Sequence, residues 1–245
     1  MRLKDQVAII TGVSQPGQVG YALAAAFARE GALIAISARN AGRVNARAEE
    51  LRAQGAEVIA VPANLTTEEG ANNLIQETLN AYGRVNILVN LAGGLTTYKP
   101  FDELTLAEWE SELNNNLRSA FLCTRAVWSI MKDQGGGKIL NFSRAGGTQS
   151  SGPMMLAYNC AKAAIDALTI TLAKEGREWG ISVNAIGPGL ITTQSNIETM
   201  KPSPEELRNK WVTLENIIEA AVFLVSPAGD GVNGAILPVQ GKGIA

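Results

Sequence analysis

The chain has 245 residues, 46% hydrophobic and 18% charged, which excludes a disordered chain and leaves room for a sizeable α/β core. A formal net charge of −2 provides no basic excess to neutralise a phosphate backbone, which argues against nucleic acid as a partner. Histidine is absent, which removes Ser-His-Asp and Cys-His nucleophiles and every His-dependent metal site, so no metal site is expected.

The chain starts Met-Arg-Leu-Lys-Asp-Gln and runs straight into a strand-like segment, without the long apolar stretch of a signal peptide. No apolar run reaches the roughly 18 residues that a membrane helix needs, so a cytoplasmic protein with no membrane partner is expected. Val7 to Ile10 reads as a strand buried on both faces. Thr11-Gly12-Val13-Ser14-Gln15-Pro16-Gly17-Gln18-Val19-Gly20 follows, and Gly20 to Glu30 is a helix with Leu23 and Phe27 at i and i+4, closed by Gly31. Strand, glycine-rich turn and helix in that order form a phosphate-binding design. The glycines let the backbone approach a pyrophosphate, and the helix N-terminus offers N–H groups and a positive dipole end.

Leu33 to Ile36 is the next strand, and its tip decides the cofactor type. A free ribose 2′-hydroxyl usually meets an Asp or Glu about 20 residues after the glycines. Here Ile36-Ser37-Ala38-Arg39-Asn40 carries no acid. Arg39 can pair with a 2′-phosphate instead, with Ser37 as an added hydrogen bond and Arg43 one turn further on. NADP(H) is therefore favoured, with NAD(H) as the alternative.

Ala41 to Gln54 is a charged helix ended by Gly55, Glu57 to Val61 a strand, Glu68 to Tyr82 a helix and Val85 to Val89 a strand. Two longer helices follow, Leu106 to Lys132 and Met155 to Trp179, with a strand at Lys138 to Phe142 between them. Ser182 to Ile186 and Ala235 to Val239 read as the last two strands, and Pro-rich Thr199 to Pro204 as a mobile loop. About seven strands, most joined by helices, predict a Rossmann-like doubly wound parallel sheet with helices on both faces. No interdomain linker or repeat interrupts it, so one domain over 1–245 is expected. Cys123 and Cys160 fit no metal spacing and read as buried small hydrophobes of a reducing compartment.

Tyr158-Asn159-Cys160-Ala161-Lys162 lies near the start of the second long helix, with Tyr and Lys sharing one face. Free Tyr, with a pKa near about 10, is a poor base at neutral pH. A lysine cation about 4 Å away, at an effective dielectric near 20, contributes about 4 kcal/mol to the phenolate. Each pKa unit is about 1.4 kcal/mol, so such a Tyr could protonate a carbonyl oxygen or deprotonate an alcohol.

Taken together, these residues resemble the short-chain dehydrogenase/reductase family over nearly the whole chain, and in particular its 3-oxoacyl reductase-like members. Thr11-Gly12 with Gly17 and Gly20 resembles the family's glycine loop, and Asn90-Leu91-Ala92-Gly93 its Asn-Asn-Ala-Gly segment. Asn116 falls on the active-site Asn, and Tyr158 and Lys162 match Tyr-x-x-x-Lys. Val183-Asn184-Ala185-Ile186-Gly187-Pro188-Gly189 resembles the run that lines the nicotinamide, and Leu237-Pro238-Val239-Gln240-Gly241 the C-terminal Pro-Val-Asp-Gly. The resemblance implies an oxidoreductase moving a hydride between NADP(H) and a small carbonyl or alcohol substrate. Tyr158 would be the acid/base, Lys162 would hold the ribose and lower the Tyr pKa, and Asn116 would help hold a water in a proton relay. Cofactor contacts would come from Gly12, Ser14, Gly17, Val19, Gly20 and Arg39, then from Asn64, Leu65, Asn90, Ala92 and Gly93. Pro188, Gly189, Ile191 and Thr193 would complete the set, the last two at the carboxamide and phosphates. The family also implies a tetramer or dimer, for which Phe121, Val127, Trp128 and Met131 could supply a face that core packing explains equally well.

The sequence departs from the family at one chemical position. A catalytic Ser is expected in the run Asn141-Phe142-Ser143-Arg144-Ala145, where counting forward reaches Arg144 and counting back from Tyr158 reaches Ala145. Ser143, Thr148, Ser150 and Ser151 are the candidate substitutes, with Arg144 entering the site to polarise a carbonyl or hold a carboxylate as the alternative. The missing Ser motivates the alternative of a weakly active or non-catalytic NADP(H)-binding protein. Two extra residues near Gln15-Pro16 motivate that of an enoyl-type reductase. Asn64 replaces a frequent Asp, and the substrate-loop region of about 190–215 is short for a lid.

Overall fold

The computed structural model describes residues 1–147 and 152–242. In chain order it contains β1 (Val7–Thr11), α1 (Val19–Arg29), β2 (Leu33–Ala38), α2 (Ala41–Ala53), β3 (Val58–Pro62), α3 (Glu68–Tyr82) and β4 (Ile87–Asn90). Then come α4 (Leu106–Leu113), α5 (Ser119–Asp133), β5 (Gly137–Phe142), α6 (Leu156–Glu175) and β6 (Ile181–Pro188). The last part holds β7 (Leu190–Ile191), α7 (Gln194–Met200), α8 (Pro204–Asn209), β8 (Trp211–Val212), α9 (Leu214–Val225) and β9 (Ile236–Val239).

Seven strands form one sheet in the order β3-β2-β1-β4-β5-β6-β9, and β7 pairs with β8 separately. Every pairing in the large sheet is parallel. The order reverses between β1 and β4, so a crevice forms at the carboxyl ends of those two strands. Alternate residues of β1 serve opposite faces. Ala8 and Ile10 join Leu23, Phe27, Ile218 and Val222 on one side, and Ile9 joins Leu74, Leu122, Val127 and Met131 on the other. Each fully buried large aliphatic or aromatic side chain contributes about 1.5–3 kcal/mol, which is what holds the helices to both faces.

Several expectations change. The helix foreseen over Leu106 to Lys132 is broken by a π-helical turn at Asn114–Arg118, where the Ser119 N–H bonds back to Asn114 O. The cause is local: the Asn116 side chain donates to the Glu112 carbonyl, the acceptor an α-helical amide at 116 would use. Helix α9 was not foreseen at all, although it covers β5 and β6 with Ile217, Ile218, Ala221 and Val222. Thr199 to Pro204 is largely the corner between α7 and α8, with Lys201 in the left-handed region at φ 45°. Val127 and Met131 are core residues, while Phe121 is 44% exposed, so the proposed contact face on α5 shrinks to Phe121 and Trp128. Cys123 is buried as expected, but Cys160 is exposed on α6.

Candidate active site

The glycine loop is shaped by close backbone packing at the crevice. Gly12 has φ +81°, and a Cβ there would stand 3.0 Å from the Ala92 N and Cα. A Cβ on Gly20 would meet the Gly12 carbonyl oxygen at 2.8 Å. Only glycine lets the first turn of α1 come this near the loop. The buried Thr11 hydroxyl ties the loops after β1 and β4 together. It donates to Val89 O at 3.1 Å and accepts the Leu91 and Ala92 N–H groups at 2.9 and 3.0 Å.

A cavity of about 290 Å³ opens beside these loops, lined by Gly12, Ser14, Arg39, Arg43, Asn64, Leu65, Ala92 and Gly93 among others. Eight residues far apart in sequence thus meet in one place. Arg39 and Arg43 are both exposed at its rim, and the β2 tip brings no carboxylate to the lining. Ser37 does not join them: it is fully buried in β2, and its carbonyl accepts the Gly12 and Val13 N–H groups. The glycine loop is flanked by α7, where Gln18 Nε2 donates to Ser195 Oγ at 3.0 Å and Gly17 packs near Gln194. Thr193 caps α7 and is buried, as is Ile191. Pro188 and Gly189 are held through backbone bonds from Ala145 N–H to Pro188 O and from Gly189 N–H to Val239 O. Val19 opens α1 and packs partly buried against the core.

Asn90 stands apart from the cavity. It is 6% exposed, and its Nδ2 donates to Thr124 Oγ1 at 3.0 Å and Asn141 Oδ1 at 2.9 Å, tying β4 to α5 and β5.

Tyr158 and Lys162 share the inner face of α6. Lys162 Nζ lies 5.5 Å from the Tyr158 ring centroid and donates to Phe142 O at 2.8 Å. Lys162 is buried, and burial pulls its ammonium down to about 8, against the opposing pull of Asp166 and Glu112. Burial raises the Tyr158 hydroxyl above its ordinary value; Arg144 opposes that rise and Glu112 adds to it.

Asn116 is 2% exposed, and both ends of its amide are engaged. Its Nδ2 is shared among Gly94 O, Glu112 O and Glu112 Oε2, each at 3.0 Å, while its Oδ1 accepts the Gly94 N–H at 2.9 Å. Glu112 is fully buried beside it. Its Oε1 accepts the Thr96 N–H (2.5 Å), the Thr96 hydroxyl (2.7 Å) and the Thr97 N–H (2.6 Å). Sequence reasoning missed Glu112. The i, i+4 spacing to Asn116 was available as a signal, but Trp-Glu-Ser-Glu-Leu looks like an ordinary solvated helix.

At the end of β5, Ser143 is buried, with its hydroxyl 3.4 Å from Lys162 O and near enough to Asp166 to oppose the rise that burial imposes on that carboxyl. It is thereby committed to α6. Thr148, Ser150 and Ser151, the other candidate substitutes, lie outside the described residues. Arg144 is half-buried, and its Nη1 donates to Asn159 Oδ1 on the first turn of α6. Asn159 and Asp166 were also missed, since nothing in their spacing marks them.

Residues 6–203 match the family model described as short chain dehydrogenase. A 3-oxoacyl-[acyl-carrier-protein] reductase of Synechocystis sp. is 36% identical over 192 residues, covering 78% of this chain and 76% of the relative. A 7alpha-hydroxysteroid dehydrogenase of Escherichia coli is 32% identical over 100% of this chain and 96% of its own length. A solved 7 alpha-hydroxysteroid dehydrogenase, complexed with NADH and 7-oxo glycochenodeoxycholic acid, superposes with a TM-score of 0.89 at 32% identity, covering 99% of this chain and 96% of that one. Among the described residues, no helix is long and apolar enough to cross a membrane.

Proposed function

The chain belongs to the short-chain dehydrogenase/reductase family and is an NAD(P)-dependent dehydrogenase or reductase; from that premise we propose that it uses NADP(H), acts on a small carbonyl or alcohol compound, and exchanges the proton through Tyr158. The observation that carries this reading is Lys162. An ammonium so thoroughly buried is costly, and it sits one helical turn from Tyr158, 5.5 Å from its ring centroid.

The residues fit the cofactor. Gly12 and Gly20 let the loop and the first turn of α1 pack closely beside the cavity, and a cavity rim with Arg39, Arg43 and no acid suits a 2′-phosphate better than a free hydroxyl. Ser14, Asn64, Leu65, Ala92 and Gly93 would line the adenosine side, and Pro188, Gly189, Ile191 and Thr193 the nicotinamide side. When bound, the nicotinamide supplies or accepts the hydride. Tyr158 donates a proton to the carbonyl oxygen on reduction and removes one from the hydroxyl on oxidation. Lys162 holds the ribose. Asn116 acts by holding Gly94 rather than through a water, since its amide is already engaged there.

The whole chain would act as one domain in the cytoplasm. The groove lined by Phe121, Trp128, Leu168 and Leu172 between α5 and α6 would serve self-association into a dimer or tetramer. Light scattering showing a monomer in dilute solution would end that part of the reading.

The test of the whole is titration of the protein with NADPH and NADH, followed by cofactor turnover with ketones, 3-oxoacyl thioesters and enoyl thioesters. Tighter NADPH binding and turnover of at least one carbonyl compound, abolished by Tyr158→Phe with NADPH binding intact, is the expected result. Binding without turnover on any of them would leave a nucleotide-binding protein only, and turnover of enoyl thioesters alone would replace the proposed substrate class.

A further inference from the structure

The segment that follows β4 walls the cavity but belongs to no helix or sheet. Residues 91–100 have no regular secondary structure, and Gly93 and Gly94 bend the chain with φ of +131° and +145°. Two of its residues, Gly93 and Thr96, line the cavity. Backbone groups without a ladder need partners elsewhere, and here they find the side chains of α4 and of the π-helical turn behind it. Gly94 N–H donates to Asn116 Oδ1 at 2.9 Å, and Asn116 Nδ2 donates back to Gly94 O at 3.0 Å. The Thr96 and Thr97 N–H groups donate to Glu112 Oε1 at 2.5 and 2.6 Å. Lys99 Nζ donates to Glu108 Oε1 at 2.7 Å. Glu108, Glu112 and Asn116 stand four residues apart, so one side of the helix meets the segment at three points, in reversed chain order.

The three points are not equivalent. Lys99 and Glu108 are about a third exposed, at 31% and 34%, so water competes for their ion pair. Glu112 is fully buried, and both its oxygens are in use. Oε1 also accepts the Thr96 hydroxyl at 2.7 Å, and Oε2 accepts Asn116 Nδ2 at 3.0 Å. A carboxylate taken out of water is costly unless donors surround it, and a carboxylate only accepts. Among the described residues, no other hydrogen bond holds Thr96 or Thr97. On the far side of Glu112, Asn115 and Ser119 from the π-helical turn line the same cavity. One buried side chain therefore joins two walls of the cavity.

From this placement we propose that Glu112 is a positioning residue for the cofactor: by holding Thr96 and Thr97 against α4 it fixes the cavity wall before the nucleotide arrives. The proposal rests on the reading of this cavity as the NADP(H) site. A wall held in place spares the ligand the cost of ordering it, so loosening the wall weakens binding in a protein that is still folded.

The experiment measures NADPH dissociation constants by fluorescence titration, with circular dichroism confirming that each protein is folded. Glu112→Leu keeps the bulk and removes the acceptors, and should weaken binding by at least roughly 10-fold. Glu112→Gln keeps an acceptor for the two N–H groups and should stay within about 3-fold of wild type. Glu108→Gln cuts the outer ion pair, keeps a side chain suited to the capping box with Thr105, and should stay within about 2-fold. Unchanged affinity in folded Glu112→Leu overturns the proposal. So does an equal loss in Glu112→Gln, or one in Glu108→Gln, which would mean general loosening of α4. Should Glu112→Leu not fold, residue-resolved hydrogen exchange on the wild type decides. Thr96 and Thr97 amides protected without cofactor and slower still with NADPH support the proposal; exchange at free-chain rates, or rates NADPH leaves unchanged, overturns it. A wild type that binds neither NADPH nor NADH defeats the cofactor reading, whereas wild-type binding matched by Glu112→Leu defeats this proposal alone.

Discussion

Lys162 Nζ sits 2.8 Å from the Phe142 carbonyl oxygen and 5.5 Å from the centroid of the Tyr158 ring, so the lysine is anchored to the strand end rather than to the tyrosine. Its charge is held in a protein interior by one backbone carbonyl. That arrangement costs stability, and the cost depends on pH in a defined direction.

Lys162→Met tests that cost. The folded-state value, about 8, lies below the ordinary 10.5. Below about 8 both folded and unfolded chains carry the proton and the full penalty of burying it applies, about 3 kcal/mol. Between about 8 and 10.5 the unfolded chain binds more protons than the folded one, so wild-type stability gains as pH rises. The methionine variant lacks this gain. Denaturant midpoints should show the variant's advantage over wild type shrinking across that window; an advantage that is constant with pH would refute the lowering of Lys162 by burial. Cys123, whose thiol burial pushes up to about 12, titrates alike in both proteins and cancels in the difference.

Arg39→Ala should weaken NADPH binding by roughly 10- to 100-fold, the loss of a charge-assisted contact worth about 1.5–3 kcal/mol. NADH binding should change little, because Arg39 is exposed at the cavity rim and supports no core element. Fluorescence titration with both cofactors checks this. Equal losses for the two would show that Arg39 does not read the 2′-phosphate.

Glu112→Ala strips acceptors from the Thr96 and Thr97 N–H groups and from Asn116 Nδ2. The Thr96 and Thr97 donors are only partly buried and Asn116 Nδ2 keeps the Gly94 and Glu112 carbonyls, so a loss of about 1–3 kcal/mol is expected in denaturant unfolding. Glu112→Gln keeps an acceptor for the loop and removes the charge. The Tyr158 phenol, followed by ultraviolet difference absorbance against pH, should then titrate lower than in the wild type, because the Glu112 charge raises it. An upward shift would contradict that electrostatic picture.

Gly20→Ala puts a methyl group 2.8 Å from the Gly12 carbonyl oxygen, where backbone must move. Overpacking of this kind costs about 1–3 kcal/mol. Because the strain falls on the glycine loop, the proposed site of the pyrophosphate, NADPH affinity should drop by at least roughly 10-fold. Wild-type affinity in this variant would mean the loop does not meet the cofactor.

The strands and most helices were legible because each carries its own periodic pattern and punctuation. Glu68–Tyr82 was read to the residue, since Thr67 caps it and Gly83 ends it in the left-handed region. α9 was passed over even though Thr213 and Asn216 form a capping box, because Leu214 to Val225 is so apolar that no polar stripe marks its period. The π turn was invisible for another reason. It follows from Asn116 competing for a backbone carbonyl, a contest decided by Gly94 and Glu112 packing around it.

Local order in the chain, through hydrophobic spacing, glycine placement and the Tyr158–Lys162 interval, was enough to determine the doubly wound sheet and the family to which it belongs. Tertiary structure alone decided which charges gather near the tyrosine: that Lys162 is buried, that Glu112 is interior, and that Arg144 turns toward α6. The physical reason is that periodicity records which way a side chain faces within its own element. An electrostatic environment is a sum over groups brought together from α4, β5 and α6, whose distances and burial exist only once the chain has closed.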